Sequence, residues 1–186
     1  GSWCGLLLQA NRRHGINVPT LAPQADGAQS RGSMPRILTY NVHRCVGTDR
    51  RLDVGRVADS IAALQPDIVA LQELDVGRAR TGGVDQAHEI ARRLDMAFHF
   101  HAALQVEEER YGDAILTRYP ERLVQVGPLP GYPRVPGLEP RGALWIAVDI
   151  EGVEVQVLNT HLGLVPREQQ VQAAFLARSE EHTSEL

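Results

Sequence analysis

A strand–helix–strand pattern constrains the fold of this chain most strongly. Residues 36–42 (RILTYNV) and 67–73 (DIVALQE) are β-branched and apolar, whereas residues 52–65 carry apolar side chains at helical spacing. Pro66 cannot continue a helix and disfavours helical geometry in the residue before it, so the helix ends there. Such a crossover makes the two strands parallel and usually adjacent, with their C-terminal ends at one edge of a sheet. The pattern predicts an α/β fold.

Two polar side chains, Asn41 and Glu73, stand at those two strand ends. A neutral oxygen donor beside a carboxylate suits a hard divalent cation such as Mg²⁺, with water and substrate phosphate completing the shell. Alternatively, Asn41 caps a turn and Glu73 is a solvated strand end. Because the pair alone favours this second interpretation, the metal hypothesis depends on further motifs.

Three later segments supply those motifs: YGDAILTRYP at 111–120, EPRGAL at 139–144 and NTHLG at 159–163. Together with Asn41 and Glu73, and in this order, they resemble the endonuclease/exonuclease/phosphatase superfamily. That superfamily includes DNase I-like nucleases, sphingomyelinases and inositol-phosphate phosphatases. The resemblance covers about residues 34–177. It implies a two-sheet α/β sandwich of the four-layer DNase I-like type.

The resemblance also implies a function and a set of site residues. The expected activity is divalent-metal-dependent hydrolysis of a phosphodiester or phosphomonoester by in-line attack of water. Mg²⁺ or Mn²⁺ would be held by Asn41 and Glu73, and His161 would be catalytic, although a strand-end histidine with a satisfied hydrogen bond is the alternative. The residues expected to bind substrate are Tyr111, Asp113, Arg141 and Asn159. Asp113 stands where the family often has Asn, and an acid there would repel a phosphate unless it were protonated or metal-paired.

Composition leaves the substrate open. A net charge of −4 provides no general attraction to polyanions, so nucleic acid, a phospholipid headgroup and an inositol phosphate all remain candidate substrates. Two cysteines are too few for a disulfide framework, which fits a reducing compartment such as the cytoplasm. The sequence has no apolar run as long as a membrane span.

The remaining sequence predicts alternating strands and helices. Helices are expected at 85–96, with Asp85 as N-cap, and at 167–178, with Pro166 before the second. Strands are expected at 97–104, 114–118, 122–126, 141–150 and 153–161, the last two forming a hairpin. The stretch 127–140 is expected to be a long loop, and Gly112 suits a close backbone approach.

Several residues near these elements leave alternatives open. Arg78 and Arg80, in the predicted loop 74–84, either meet substrate phosphates or lie on an exposed loop. His99 and His101 share a strand face, where they either bind zinc or, as is commoner, are half-exposed histidines. His43 is expected to line the cleft without being a ligand.

Both ends are expected to be foreign to the domain. Residues 1–33 have the composition of a disordered or non-native leader, and residues 178–186 (RSEEHTSEL) look like a translated sequencing adapter. The Gly-Asp-x-Asn motif and Asp-His pair of complete family members do not occur. The expectation is therefore a front-half domain at 34–177 whose C-terminal half is missing. Such a chain would be inactive, or would bind without catalysis, and would tend to associate or aggregate.

Overall fold

The structure, a computed structural model, describes residues 4–11, 34–132, 135 and 138–183. The strands are β1 Cys4–Asn11, β2 Ile37–Asn41, β3 Ile68–Val76, β4 Ala97–Val106, β5 Glu109–Thr117, β6 Glu121–Pro128, β7 Gly142–Ile150 and β8 Val153–His161. The helices are α1 Val54–Leu64, α2 Gln86–Leu94 and α3 Pro166–Thr183, with short 3-10 turns at His43–Cys45 and Ala79–Thr81.

The described strands form two four-stranded sheets, ordered β2-β3-β5-β4 and β1-β8-β7-β6. β2 and β3 are parallel, as predicted, and the other pairs are antiparallel. The crossover helix α1 begins after Asp53, whose carboxylate accepts from the Arg56 amide over 2.8 Å. It ends at Leu64, and the C-cap residue Gln65 has left-handed backbone just before Pro66. Asn41, the last residue of β2, therefore lies beside the middle of β3.

Two apolar cores hold the layers together. One lies between the two sheets and contains Ile68, Ile115, Leu144, Ile146, Val148 and Val157. The other lies between the first sheet and helices α1 and α2, where Ile61, Leu71 and Ile90 are fully buried. Burial of each such side chain contributes about 1.5–3 kcal/mol. Helix α3 flanks the second sheet, and Phe175 shares a cavity wall with Trp145. The predicted two-sheet α/β sandwich is confirmed.

The predicted element boundaries need small corrections. β3 continues to Val76, so the predicted loop starting at residue 74 begins later. β5 begins at Glu109 rather than at residue 114, and β6 extends to Pro128. The Asp85 carboxylate accepts from the His88 amide over 2.9 Å, which confirms the N-cap. A Cβ on Gly112 would collide with the carbonyl oxygen of His101, as the predicted close approach requires.

The N-terminal segment contradicts the predicted disordered leader in part. Residues 4–11 form β1, which pairs antiparallel with β8 from Cys4 opposite His161 to Asn11 opposite Glu154. Composition missed this strand because its partner lies far along the chain. Residues 12–33 and 184–186 lie outside the described residues. Helix α3 continues past the predicted end at 178 to Thr183. Within the described residues, no helix is long and apolar enough to cross a membrane.

Candidate active site

The carboxylate of Glu73 lies at the centre of a polar cluster at one end of the sandwich. Asn41 Nδ2 donates to Glu73 Oε1 over 2.8 Å, so the strand–helix–strand unit brings the two predicted metal ligands together. Glu73 interrupts the β3–β5 ladder between Leu71 and Leu74, with a φ of 62°. A bulge with a left-handed residue re-aims a side chain at a backbone cost of roughly 1–3 kcal/mol. This bulge was not predictable from strand alternation.

A turn beyond Asn41 brings a further side chain to Glu73. The strand ends at Asn41, and the main chain then enters the turn His43–Cys45. His43 Nδ1 lies 3.0 Å from Glu73 Oε2, and the His43 amide donates to Asn41 Oδ1 over 3.0 Å. His43 thus contacts the Glu73 carboxylate directly, whereas the sequence predicted only that His43 lines the cleft. The contact between His43 and Glu73 was not predicted from the sequence, because strand periodicity does not describe a turn.

Glu73 is ionised at neutral pH. Burial alone would raise the pKa of Glu73, but hydrogen bonds from Asn41 and His43 and the nearby His161 lower it below its usual value. The Glu73 carboxylate is therefore charged, and its contacts with Asn41 and His43 hold it in place.

His161 lies on the other sheet and faces the same carboxylate. Its Nδ1 is 3.6 Å from Glu73 Oε1, and its side chain is only 5% exposed. Burial, followed by the charge of Arg141, lowers the pKa of His161, so the imidazole is neutral at pH 7. Its Nε2 atom is buried and has no hydrogen-bond partner within the described part of the chain. A neutral ring with one free nitrogen can accept or donate one proton there.

Asp113 lies beneath these groups. Its carboxylate is buried and accepts from the Glu73 amide over 3.4 Å. Burial raises the pKa of Asp113 to about 7, although the backbone amide of Glu73 and the charge of Arg141 act in the opposite direction. Near neutral pH a large share of Asp113 is therefore protonated, and repulsion between this acid and a phosphate is reduced.

Arg141 and Tyr111 lie near the cluster, where Arg141 acts electrostatically on His161 and Glu73 acts on Tyr111. Arg141 is 7% exposed, and its Nη1 lies 3.6 Å from Glu139 Oε2. Among the described residues, nothing accepts a hydrogen bond from its buried Nε. Tyr111 is buried below Arg80, whose guanidinium is 5.5 Å from the ring centre. An incompletely bonded guanidinium beside a cluster of acids and histidines suits an anionic group.

Asn159 occupies a different place from the one expected. It is fully buried, and its Nδ2 donates to the carbonyls of Leu71 and Ala114, each over 2.9 Å. Its Oδ1 accepts from Gln72 Nε2 over 2.8 Å. With both amide hydrogens used, Asn159 has no donor for a phosphate, so the structure does not support the predicted substrate contact. Its side chain joins the two sheets instead.

The loop arginines and the paired histidines have internal partners. Arg80 makes two 2.7 Å bonds to the buried Asp75, and Arg78 lies 3.3 Å from Glu109. Arg80 nevertheless stays near the site through Tyr111.

On β4, His99 pairs with Glu121 at 2.5 Å, whereas His101 packs against Gly142. The two rings therefore have separate partners, and the zinc alternative receives no support.

Buried glutamines were missed by sequence reasoning because glutamine is normally exposed. Gln86 accepts from the Asp75 amide over 2.9 Å and donates to the Arg44 carbonyl over 2.8 Å. It thereby ties α2 to both the end of β3 and the turn that carries His43. Gln72, fully buried, joins Thr39 to Asn159. In the sequence, the signal for Gln72 was its position next to Glu73. The signal for Gln86 was its position within a segment rich in turn residues.

A cavity of about 720 Å³ opens beside Asn41 and His43. It lies between the turn and α1, and its polar wall includes Asp49, Arg56 and Ser60. Arg56 is bonded to Asp49 over 2.8 Å, so its charge is already compensated.

The two packed sheets, with the polar cluster around Glu73 at one end, define a two-sheet α/β sandwich. A family model described as "Endonuclease/Exonuclease/phosphatase family" matches residues 38–181. The chain belongs to this family, whose members are hydrolases of the nuclease and phosphatase type.

Solved structures agree with this assignment. The chain is similar to an endonuclease/exonuclease/phosphatase from Beutenbergia cavernae DSM 12333, with 26% identity, a TM-score of 0.60, and coverage of 76% of this chain and 42% of that one. It is also similar in fold to humanized D. rerio TDP2, with 19% identity, a TM-score of 0.51, and coverage of 80% and 56%. The chain thus spans about half the length of these relatives. A search of curated proteins found no match.

Family members generally use divalent metal ions. Glu73 and the neighbouring Asn41 provide the types of oxygen ligand that such an ion binds. Glu73 provides a charged carboxylate, and Asn41 Oδ1, which accepts from the His43 amide over 3.0 Å, has a second lone pair that could bind a cation. Mg²⁺ commonly keeps several waters and takes only one or two protein carboxylates. Across the described residues, no group of three or more His, Cys, Asp or Glu side chains is placed to hold a metal. Water and substrate would therefore complete the shell.

Proposed function

We propose that the chain carries the metal-binding side of a phosphoesterase site that hydrolyses a phosphodiester or phosphomonoester by in-line attack of water. The observation that carries this proposal is the Asn41–Glu73 contact of 2.8 Å at the edge shared by two parallel strands. Membership of a hydrolase family supports the reaction class.

Each residue near Glu73 has a role in this proposal. Mg²⁺ or Mn²⁺, held by Asn41 and Glu73, would supply a Lewis acid that offsets charge on the phosphoryl oxygens. Arg141 binds a phosphate oxygen through its free Nε, because that atom is buried without a partner in the described part of the chain. His161 holds or moves a proton at Nε2, which its neutral state at pH 7 permits.

Tyr111 and Asp113 shape the same pocket. Tyr111 stays uncharged because burial raises its pKa, so its hydroxyl is a donor toward the phosphate. Asp113 supports the Glu73 backbone, and its raised pKa limits its negative charge near the substrate. We propose that Arg141 and Tyr111 together bind the phosphate group of the substrate.

Turnover needs an acid or histidine that activates water, and the family motifs that carry such groups do not occur in the given sequence. We therefore propose that these 186 residues bind a phosphate ester in a metal-dependent way but do not hydrolyse it measurably.

Binding of bis(4-nitrophenyl) phosphate, followed by ³¹P line broadening, tests the proposal. Broadening is expected with Mg²⁺ and is expected to disappear with excess chelator. Arg141→Lys keeps the charge but loses the planar fork, so it should abolish the effect. Arg122→Lys is the matched control, because Arg122 pairs with Glu154 and lies opposite Ala147, well along β7 from Arg141.

Two outcomes would contradict the proposal: no broadening in the wild type, or broadening that the chelator leaves unchanged. Release of 4-nitrophenolate above the buffer rate would contradict only the predicted lack of turnover.

A further inference from the structure

The turn at His43–Cys45 is built against the normal preference of the backbone. His43, Arg44 and Cys45 have φ values of 47°, 58° and 58°, and none of them is glycine. A left-handed residue of this kind costs roughly 1–2 kcal/mol, so three in succession persist only when the surroundings hold them.

Hydrogen bonds from several elements hold this turn. The Cys45 amide donates to the Val42 carbonyl over 2.9 Å, and the Asp53 amide donates to the Cys45 carbonyl over 2.9 Å. Gln86, from α2, donates to the Arg44 carbonyl over 2.8 Å. The β2 end, the start of α1 and α2 thus fix one conformation.

This backbone conformation determines where the His43 side chain lies. The His43 ring is 62% exposed at the side-chain level, yet its Nδ1 lies 3.0 Å from Glu73 Oε2, whose side chain is 14% exposed. The largely exposed His43 ring therefore contacts one oxygen of the carboxylate, Oε2, whereas Asn41 donates to the other, Oε1.

The separation of the two atoms matches that of two ligands on one ion. Ligands that bind at right angles about 2.1 Å from a cation are about 3.0 Å apart. We propose that His43 Nδ1 is a further ligand of the divalent cation at Glu73, which makes the site a mixed nitrogen and oxygen site. This inference rests on the proposed metal-dependent function and goes beyond the oxygen-only pair Asn41 and Glu73.

The proton balance of this ligand is simple. A cation bound by His43 Nδ1 would take the place of the hydrogen bond between this atom and Glu73 Oε2. The coordinating imidazole would be neutral and would carry its proton on Nε2. Arg44 Nη2, which lies 3.3 Å from Nε2, would then have to turn aside.

A nitrogen ligand changes which metal the site prefers. Mg²⁺ favours oxygen ligands, whereas imidazole suits transition metals and binds them in the Irving–Williams order. The site should therefore bind Mn²⁺ more tightly than Mg²⁺ by a wider margin than an oxygen-only site. His161 is the weaker candidate for the nitrogen ligand, because its Nδ1 is 3.6 Å from the carboxylate.

Electron spin echo envelope modulation of bound Mn²⁺ tests the inference, because it detects a coordinated imidazole nitrogen directly. The variant is His43→Asn, since asparagine adopts left-handed backbone readily and keeps the turn. His88→Asn is the control, because His88 is an exposed histidine on α2 whose ring lies 5.9 Å from the Phe98 ring, measured between ring centres. Mg²⁺ competition against Mn²⁺ gives the selectivity of each protein, and circular dichroism checks the fold.

Nitrogen modulation is expected in the wild type and in His88→Asn, and it should be lost in His43→Asn. The Mn²⁺-over-Mg²⁺ selectivity of His43→Asn should fall by about tenfold or more. Mn²⁺ binding without nitrogen modulation in the wild type, or modulation that persists in His43→Asn, overturns the inference and leaves the proposed function standing. Absence of any Mn²⁺ binding in the wild type overturns both.

Discussion

The side-chain amide of Asn159 donates to the backbone carbonyl of Leu71 over 2.9 Å and so joins the two sheets two residues before Glu73. The same nitrogen reaches Ala114, and the amide oxygen accepts from Gln72. Because Leu71 is the last paired residue before the bulge, this contact fixes the point at which Glu73 leaves the ladder. Asn159 therefore supports the site without facing the substrate.

Removal of this bridge should cost stability. Asn159→Asp keeps the size but loses both donors, which leaves two buried carbonyls without their partner. We expect the free energy of unfolding to fall by at least about 2 kcal/mol, measured by urea denaturation. Gln125→Ala, on the exposed face of β6, should stay within about 0.5 kcal/mol of the wild type. A loss no larger than that of the control would show that Asn159 does not hold the sheets together.

Gly112 and Gly127 form a second matched pair. A Cβ at Gly112 would collide with the His101 carbonyl, whereas a Cβ at Gly127 would meet no heavy atom within 4 Å among the described residues. Gly112→Ala should therefore lower the free energy of unfolding by about 2 kcal/mol, and Gly127→Ala should have little effect. Equal urea midpoints for the two variants would refute the close approach between β4 and β5.

Local pattern predicted much of this fold, and contacts distant in sequence explain what it missed. The β2–α1–β3 unit was predictable because apolar spacing and Pro66 act within a few residues. β1 was missed because it is held in place by pairing with β8, which lies about 150 residues away along the chain. Among site residues, the crossover brings Asn41 beside the β3 segment that carries Glu73, and the bulge at Glu73, which local pattern did not predict, aims its side chain. The position of His43 depends on a left-handed turn, which strand alternation cannot anticipate.

Asp113 should make stability depend on pH. Its folded pKa is raised to about 7 from 3.8, so the folded state keeps a proton that the unfolded state has lost between these values. The free energy of unfolding should consequently fall as pH rises from about 4 to 7. Asp113→Asn removes this titration, and its stability relative to the wild type should rise by about 2 kcal/mol from pH 5 to pH 8.

Urea denaturation in the presence of a chelator measures this difference. Asp59→Asn, at an exposed position of α1, provides the control. Parallel pH profiles for the wild type and Asp113→Asn would show that the buried acid does not titrate in this range.

Deletion of residues 1–33 should expose an edge of the second sheet. The deletion removes β1, so the amides of β8 that face β1 lose their partners. We expect faster hydrogen exchange at those amides, with exchange on the β7 side of the hairpin changed less. The exposed edge should also increase association, which light scattering measures. Unchanged protection of β8 after deletion would contradict the pairing of β1.

A titration of the 186-residue chain with Mn²⁺, followed by loss of the EPR signal of free Mn²⁺, tests the central claim most directly. Glu73→Gln keeps the shape of the side chain but removes its charge, so it should weaken binding at least about tenfold. Glu89→Gln, a surface carboxylate bonded to Arg92 and Arg93, should bind like the wild type. Equal affinity in Glu73→Gln and the wild type would contradict a metal site at Glu73.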